Sequence, residues 1–370
     1  MTRQAGLICL QVKMSEISLD SSALRINRVN LLAFLDALFE RFDAAFICSS
    51  EEVVVHIGGS KIICRSNLPA YVASVGKGLA DEGPFLDGSC RIIVTSSGGL
   101  GLPMTPLWGE PFYQERLVEA VVASSRYRVH HLTDSRFWQF YDRHTHRGIQ
   151  LMAEPTAAPA WDAGSPLRNF LHWFFSSRGY GLVHAGTLAL DSSGLLLAGP
   201  GGSGKSGTVL AGIRHGLQTV GDDYVLIQIG KTSTAMPLFR TLKQDAKGFE
   251  RMGLSQLPDL SRELNWQGKH QFTLSDVSTE KHPCRIELLA LCLPVITYGE
   301  RTHFEPIDSK SAFLSLVPSG VTQMPGDRDA SFVFGAKLSR QLPAYRLKLG
   351  TDPAEIASAI GAFIRSRRSC

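Results

Sequence analysis

The octapeptide Gly199-Pro200-Gly201-Gly202-Ser203-Gly204-Lys205-Ser206 satisfies the P-loop pattern G-x-x-x-x-G-K-[ST] at every required position. Its surroundings fit too: residues 194–198 read as a short buried strand and 207–213 as the first turns of a helix. A strand, a glycine-rich loop and a helix in that order belong to an α/β core. The glycines let the chain turn sharply, so that successive backbone N–H groups converge on a β-phosphate. Lys205 then reaches the β and γ oxygens and the Ser206 hydroxyl binds Mg2+. The expected nucleotide contacts are Gly199, Gly201, Gly202, Ser203, Gly204, Lys205, Ser206 and Gly207, and the expected ligand is a nucleoside triphosphate.

A chain of 370 residues has room for more than this core. Hydrophobic content of 44% against 19% charged residues is that of a globular protein. The longest apolar run, 286–296, is interrupted by Glu287 and Pro294 and is too short to span a bilayer, so no membrane partner is expected. A net charge of +4 is too slight to call for nucleic acid. Seven scattered cysteines without a C-x-x-C pair argue against a zinc site or a disulfide framework. With no apolar secretory segment near the start, a cytoplasmic protein is expected.

Residues 1–155 read as a mixed α+β region: a helix over 30–39, a hairpin over 52–64 turning at Gly58-Gly59, a strand at 91–95, and a strand pair at 137–141 and 148–152. The Gly/Pro-rich stretch 96–106 reads as a surface loop. His130-His131 and Arg143-His144-Thr145-His146 also read as surface loops, since no acid or cysteine completes a metal site. The Ala/Pro/Gly-rich segment 155–166 marks a domain boundary. Beyond it come an apolar helix at 167–175, a strand at 180–190, strands at 217–220, 224–227 and 286–296, and a last helix opening at Thr351-Asp352-Pro353. Residues 366–370 form a basic tail.

Asp222-Asp223 follows the P-loop at the end of an expected strand. A P-loop enzyme needs an acid near the γ-phosphate to orient the metal or to take a hydroxyl proton, and an acidic pair can divide those tasks. His184, on the strand before the P-loop, reads by itself as a buried structural histidine.

Taken together, Val183-His184-Ala185-Gly186, the P-loop and Thr219-Val220-Gly221-Asp222-Asp223 resemble HPr kinase/phosphorylase and the related serine kinases, including those of lasso-peptide gene clusters. Met236–Lys243 is similar to the Pro-containing basic segment of those kinases, and 345–350 to the stretch before their final helix. The resemblance spans roughly 165–365. It implies a P-loop core of the HPr kinase/phosphoenolpyruvate carboxykinase type, with ATP and Mg2+ used to phosphorylate a serine of a peptide or small protein. It further implies Asp222 as base, Asp223 with Ser206 at the metal, His184 orienting an Asp or a phosphate oxygen, and Arg240 and Lys243 contacting phosphate or peptide. The family often forms homo-oligomers. Its later acidic signature, tied to phosphorolysis, has no counterpart here, which favours a kinase-only enzyme; the first 155 residues do not match its N-terminal domain, which favours a specialised peptide, conceivably a lasso-peptide precursor, over an HPr-like carrier as acceptor. A non-catalytic ATP-sensing module is the alternative from another class.

Overall fold

The computed structural model describes residues 21–81, 88–96, 99–102, 115–132, 137–320 and 324–368. Most of the 96–106 loop, the first 20 residues and the last two of the basic tail lie outside these.

Helices α1 (Ser21–Glu40) and α2 (Phe42–Cys48) lead into a hairpin of β1 (Glu51–Ile57) and β2 (Ser60–Ser66). Gly58 and Gly59 have φ of 54° and 75°. A two-residue turn with both central residues in that region matches the twist of the strands, and glycine occupies it without steric cost. There follow α3 (Pro69–Gly78), β3 (Ser89–Ser96), α4 (Glu115–Val122), β4 (Tyr127–Leu132), β5 (Phe137–Asp142) and β6 (Arg147–Met152). The strands form one sheet in the order β1-β2-β3-β6-β5-β4. On one face Ile93, Phe140 and Ile149 pack with Leu31, Leu35 and Phe42 of the first two helices. The other face packs on α5 (Arg168–Ser176) through Ile92, Phe137, Tyr141, Phe170 and Trp173, and the same apolar cluster continues into Leu226 and Met236 of the second sheet and Phe239 just beyond it.

The second sheet is built from β7 (Tyr180–Val183), β8 (Gly186–Leu190), β9 (Ser193–Leu197), β10 (Val225–Ile229) and β11 (Ser233–Met236), with α6 (Lys205–Arg214) between β9 and β10. A separate two-stranded ribbon, β12 (Thr241–Asp245) and β13 (Lys269–Thr273), carries α7 (Ala246–Arg251) in its connection, and α8 (Leu274–Val277) follows. The chain then returns to the sheet as β14 (Ile286–Gly299), β15 (His303–Ile307) and, after α9 (Ser309–Gly320) and α10 (Arg328–Gln341), β16 (Ala344–Gly350); α11 (Pro353–Arg368) ends the described chain. The sheet runs β15-β16-β14-β11-β10-β7, with β9 paired to β14 and β8 to β9. β14 is parallel to both β9 and β16, and its largely buried stretch 288–294 is continuously apolar, while Val295–Tyr298 run out to the surface. α6 and α11 cover one face, α9 and α10 the other. No helix among the described residues is long and apolar enough to cross a membrane.

Three local readings change. The strand expected over 180–190 breaks at His184-Ala185, where the chain leaves β10 as partner and joins β9. Residues 217–220 make only a single bridge, Gln218 to Ala189, so Asp222-Asp223 sits in the turn that opens β10 instead of ending a strand. His130 and His131 are buried on β4 (7% and 6% exposed), not in a surface loop, because the sheet edge there is covered.

A candidate nucleotide cleft at the P-loop

The loop after β9 turns directly into α6. Gly204 has φ of 103°, and a Cβ added there would lie 2.8 Å from Leu349 Cδ1, so a side chain would be both strained and crowded. At Gly201 and Gly202 nothing lies within 4 Å of an added Cβ; the outer side of the loop opens to space. The first-turn N–H groups of α6 have no intrahelical acceptors, a setting that favours an anion at this end of the helix. Lys205 is buried (7% exposed) and its Nζ donates to Gly199 O at 2.7 Å and Pro200 O at 3.1 Å, leaving one of its three protons for a ligand. Burial lowers its pKa, and the two aspartates work against that. Ser203 Oγ is buried and has no hydrogen-bond partner among the described residues.

The acidic pair is fixed by two threonines. Thr219 Oγ1 donates to Thr187 O at 2.8 Å and accepts from Gly221 N at 3.0 Å, while Thr187 Oγ1 accepts from Val220 N at 3.0 Å. These bonds tie the turn to β8 and aim both carboxylates at the cleft. Asp222 is 4% exposed; it accepts hydrogen bonds from Ser206 and from the Lys243 backbone, yet among the described residues its Oδ1 has no partner. Burial, and then the charge of Asp223, push its pKa up to about 6 against the pull of Ser206 and Lys205. Asp223 is satisfied on both oxygens: His184 Nε2 lies 3.0 Å from Oδ1 and Lys243 Nζ donates to Oδ2 at 2.8 Å. Burial raises its pKa, but His184 and Lys243 outweigh that and hold it well below the usual carboxylate range. His184 stacks on Tyr224 (centroids 4.9 Å apart, 21° between planes), and its Nδ1 is buried without a hydrogen-bond partner.

These groups line one cleft of about 810 Å³. Of the expected nucleotide contacts, Gly201, Gly202, Gly204, Lys205, Ser206 and Gly207 face it together with Asp222, Asp223, His184 and Lys243; Gly199 and Ser203 do not line it. Arg240 does not: it is exposed and its N–H bonds Gly78 O at 2.9 Å. The acid bonded to Ser206 is Asp222, where the sequence reading set Asp223. Sequence reasoning missed Lys247 and Arg251 on α7, Lys269 on β13, and the apolar side chains Trp266, Ile296 and Tyr298. It also missed Trp161 and Arg168, whose guanidinium lies 4.3 Å from the Trp161 ring and 5.2 Å from that of Tyr224. The boundary segment is thus part of the cleft wall. Lys247 and Arg251, four apart on one helical face, were the detectable signal.

Among the described residues no cluster of three His, Cys, Asp or Glu could hold a metal ion. A cation here would need phosphate oxygens beside Ser206 and the unpartnered Asp222 oxygen, and that donor set suits Mg2+, which keeps few protein ligands.

No protein-family model matches the chain, and no curated protein does. Among solved structures, the Hpr(Ser) kinase/phosphatase from Coxiella burnetii aligns with 51% of this chain and 99% of its own at 12% identity, with a TM-score of 0.29. So slight a likeness carries no weight for fold or activity.

Proposed function

We propose that the protein is an ATP-dependent phosphotransferase that phosphorylates a hydroxyl group, the serine of a peptide or small protein being the acceptor class suggested by the sequence resemblance. The observation that carries this reading is the P-loop cradle facing a carboxylate oxygen, on Asp222, that is buried and unpartnered. Such an oxygen costs stability unless a cation or a proton meets it, and burial of that kind collects at functional sites.

The loop amides and Lys205 hold the triphosphate tail and neutralise charge that spreads over the transferring group. Bound at Ser206 and Asp222, Mg2+ would supply Lewis-acid neutralisation of the phosphate oxygens. This division reverses the sequence expectation: Asp222 serves the metal and Asp223 the acceptor. His184 and Lys243 fix the Asp223 carboxylate, which accepts the hydroxyl proton as the oxygen–phosphorus bond forms and the bond to the ADP oxygen breaks. A weakly basic carboxylate suffices, because in a loose transition state the hydroxyl gives up its proton late.

The test is incubation with Mg2+, ATP and serine-containing peptides, read by mass spectrometry for a gained phosphate. Asp223→Asn should abolish the gain while ATP binding persists. ATP binding with no transfer to any acceptor, water included, would favour an ATP-sensing module instead.

A further inference from the structure

The ribbon of β12 and β13 with α7 brings cations to the cleft beyond those the P-loop explains. Lys243 is spent on Asp223, but Lys247, Arg251 and Lys269 face the same space. Lys269 lies close enough to Lys205 to help lower its pKa, a like-charge crowding that an anion would relieve. Arg251 ends α7, is exposed, and makes no ion pair or hydrogen bond among the described residues. Its position is nonetheless defined: an added Cβ at Gly207 would lie 3.4 Å from Arg251 Nη2. The guanidinium therefore hangs over the first turn of α6, two residues past Lys205. A longer side chain at position 207 would occupy that place, so the glycine there leaves room for the arginine.

Phosphates cradled by a P-loop run from the lysine tip, at the β and γ groups, back to the first-turn amides, at the α and β groups. Resting on the phosphotransferase reading, we propose that Arg251 is a further nucleotide-binding residue that clamps the α–β diphosphate from the side opposite the loop. The guanidinium fork suits two phosphate oxygens at once, and among the described residues no acid pairs with it. Because ATP and ADP share that diphosphate, the contact serves both equally and supplies affinity without acting on the γ-phosphoryl group.

The test uses the full-length protein and N-methylanthraniloyl-labelled ATP and ADP in fluorescence titrations, with kcat and KM for ATP measured alongside. Arg251→Gln should weaken both nucleotides about tenfold and raise KM for ATP similarly, with kcat within about threefold of wild type. Arg251→Lys should recover part of the affinity. Unchanged affinity for both nucleotides in Arg251→Gln would overturn the assignment. A loss confined to ATP would also overturn it, by moving the contact to the γ-phosphate. Wild-type protein that binds neither nucleotide would sink the phosphotransferase reading, and this inference with it.

Discussion

Asp142 and Asp222 are buried to nearly the same degree, 2% and 4% exposed, one at the β5–β6 turn of the first sheet and the other at the turn opening β10 in the second. Asp142 Oδ1 accepts from His144 N at 2.9 Å, closing the hairpin, and its Oδ2 lies 3.7 Å from Arg126 Nε. Asp222 differs: a second carboxylate lies beside it, Ser206 and the Lys243 backbone donate to it, and among the described residues its Oδ1 has no partner. A buried acid with partners holds a turn together. A buried acid set against another acid weakens the ligand-free fold, an arrangement of the kind that collects at functional sites. In the first sheet the buried acid is matched by partners; in the cleft Asp222 is matched only in part.

Substitutions at the two acids and around the cleft test that difference. The largest effect is expected from Asp223→Asn, which should lower phosphoryl transfer about a thousandfold or more with the ATP dissociation constant within about threefold of wild type. Normal turnover in that variant would remove Asp223 from the chemistry. Asp222→Asn should also impair transfer but, unlike Asp223→Asn, should raise the Mg2+ concentration needed for half-maximal rate.

The next effect is on stability, and its sign separates the two buried acids. Asp222 is raised from an ordinary 3.8 to about 6, a displacement of about 3 kcal/mol. Its folded pKa exceeds the unfolded one, so its contribution to stability is fully present below about pH 4 and is lost as pH rises through 6. Asp222→Asn should therefore raise the denaturation midpoint of the ligand-free protein at pH 7, with the gain disappearing by pH 4. Asp142→Asn should lower the midpoint, through a loss of about 1 kcal/mol of stability, since it weakens a satisfied pair. Midpoints that move in the same direction would erase the contrast. The smallest effect belongs to Arg240→Ala. Exposed and outside the cleft, it should leave nucleotide affinity unchanged within about twofold.

The P-loop was legible because its chemistry dictates a contiguous pattern: glycines where the chain must turn, then Lys205 and Ser206 on the first helical turn. The hairpin at Gly58-Gly59 and strand β14 were legible for similar local reasons. Asp222-Asp223 was found, but not its setting. Whether an acid faces Ser206 or His184 depends on Thr187 and Thr219, which are brought together by a bridge between distant segments. The break of the strand at His184 was hidden because residues 180–190 suit a single long strand, and only the exchange of partners from β10 to β9 splits it. The cationic ribbon was the hardest to see. Lys247, Arg251 and Lys269 sit in polar sequence that reads as ordinary surface, and they reach the cleft only because Leu242, Phe249 and Phe272 anchor the ribbon in the α6–α11 core.

The most direct test of the central claim is a crystal structure of the full chain with Mg2+ and a non-hydrolysable ATP analogue. Triphosphate density is expected on the Gly199–Ser206 loop, with a metal ion next to Ser206 and the Asp222 oxygen that has no partner among the described residues. A nucleotide bound elsewhere, or a filled loop with Asp222 Oδ1 still bare, would contradict it.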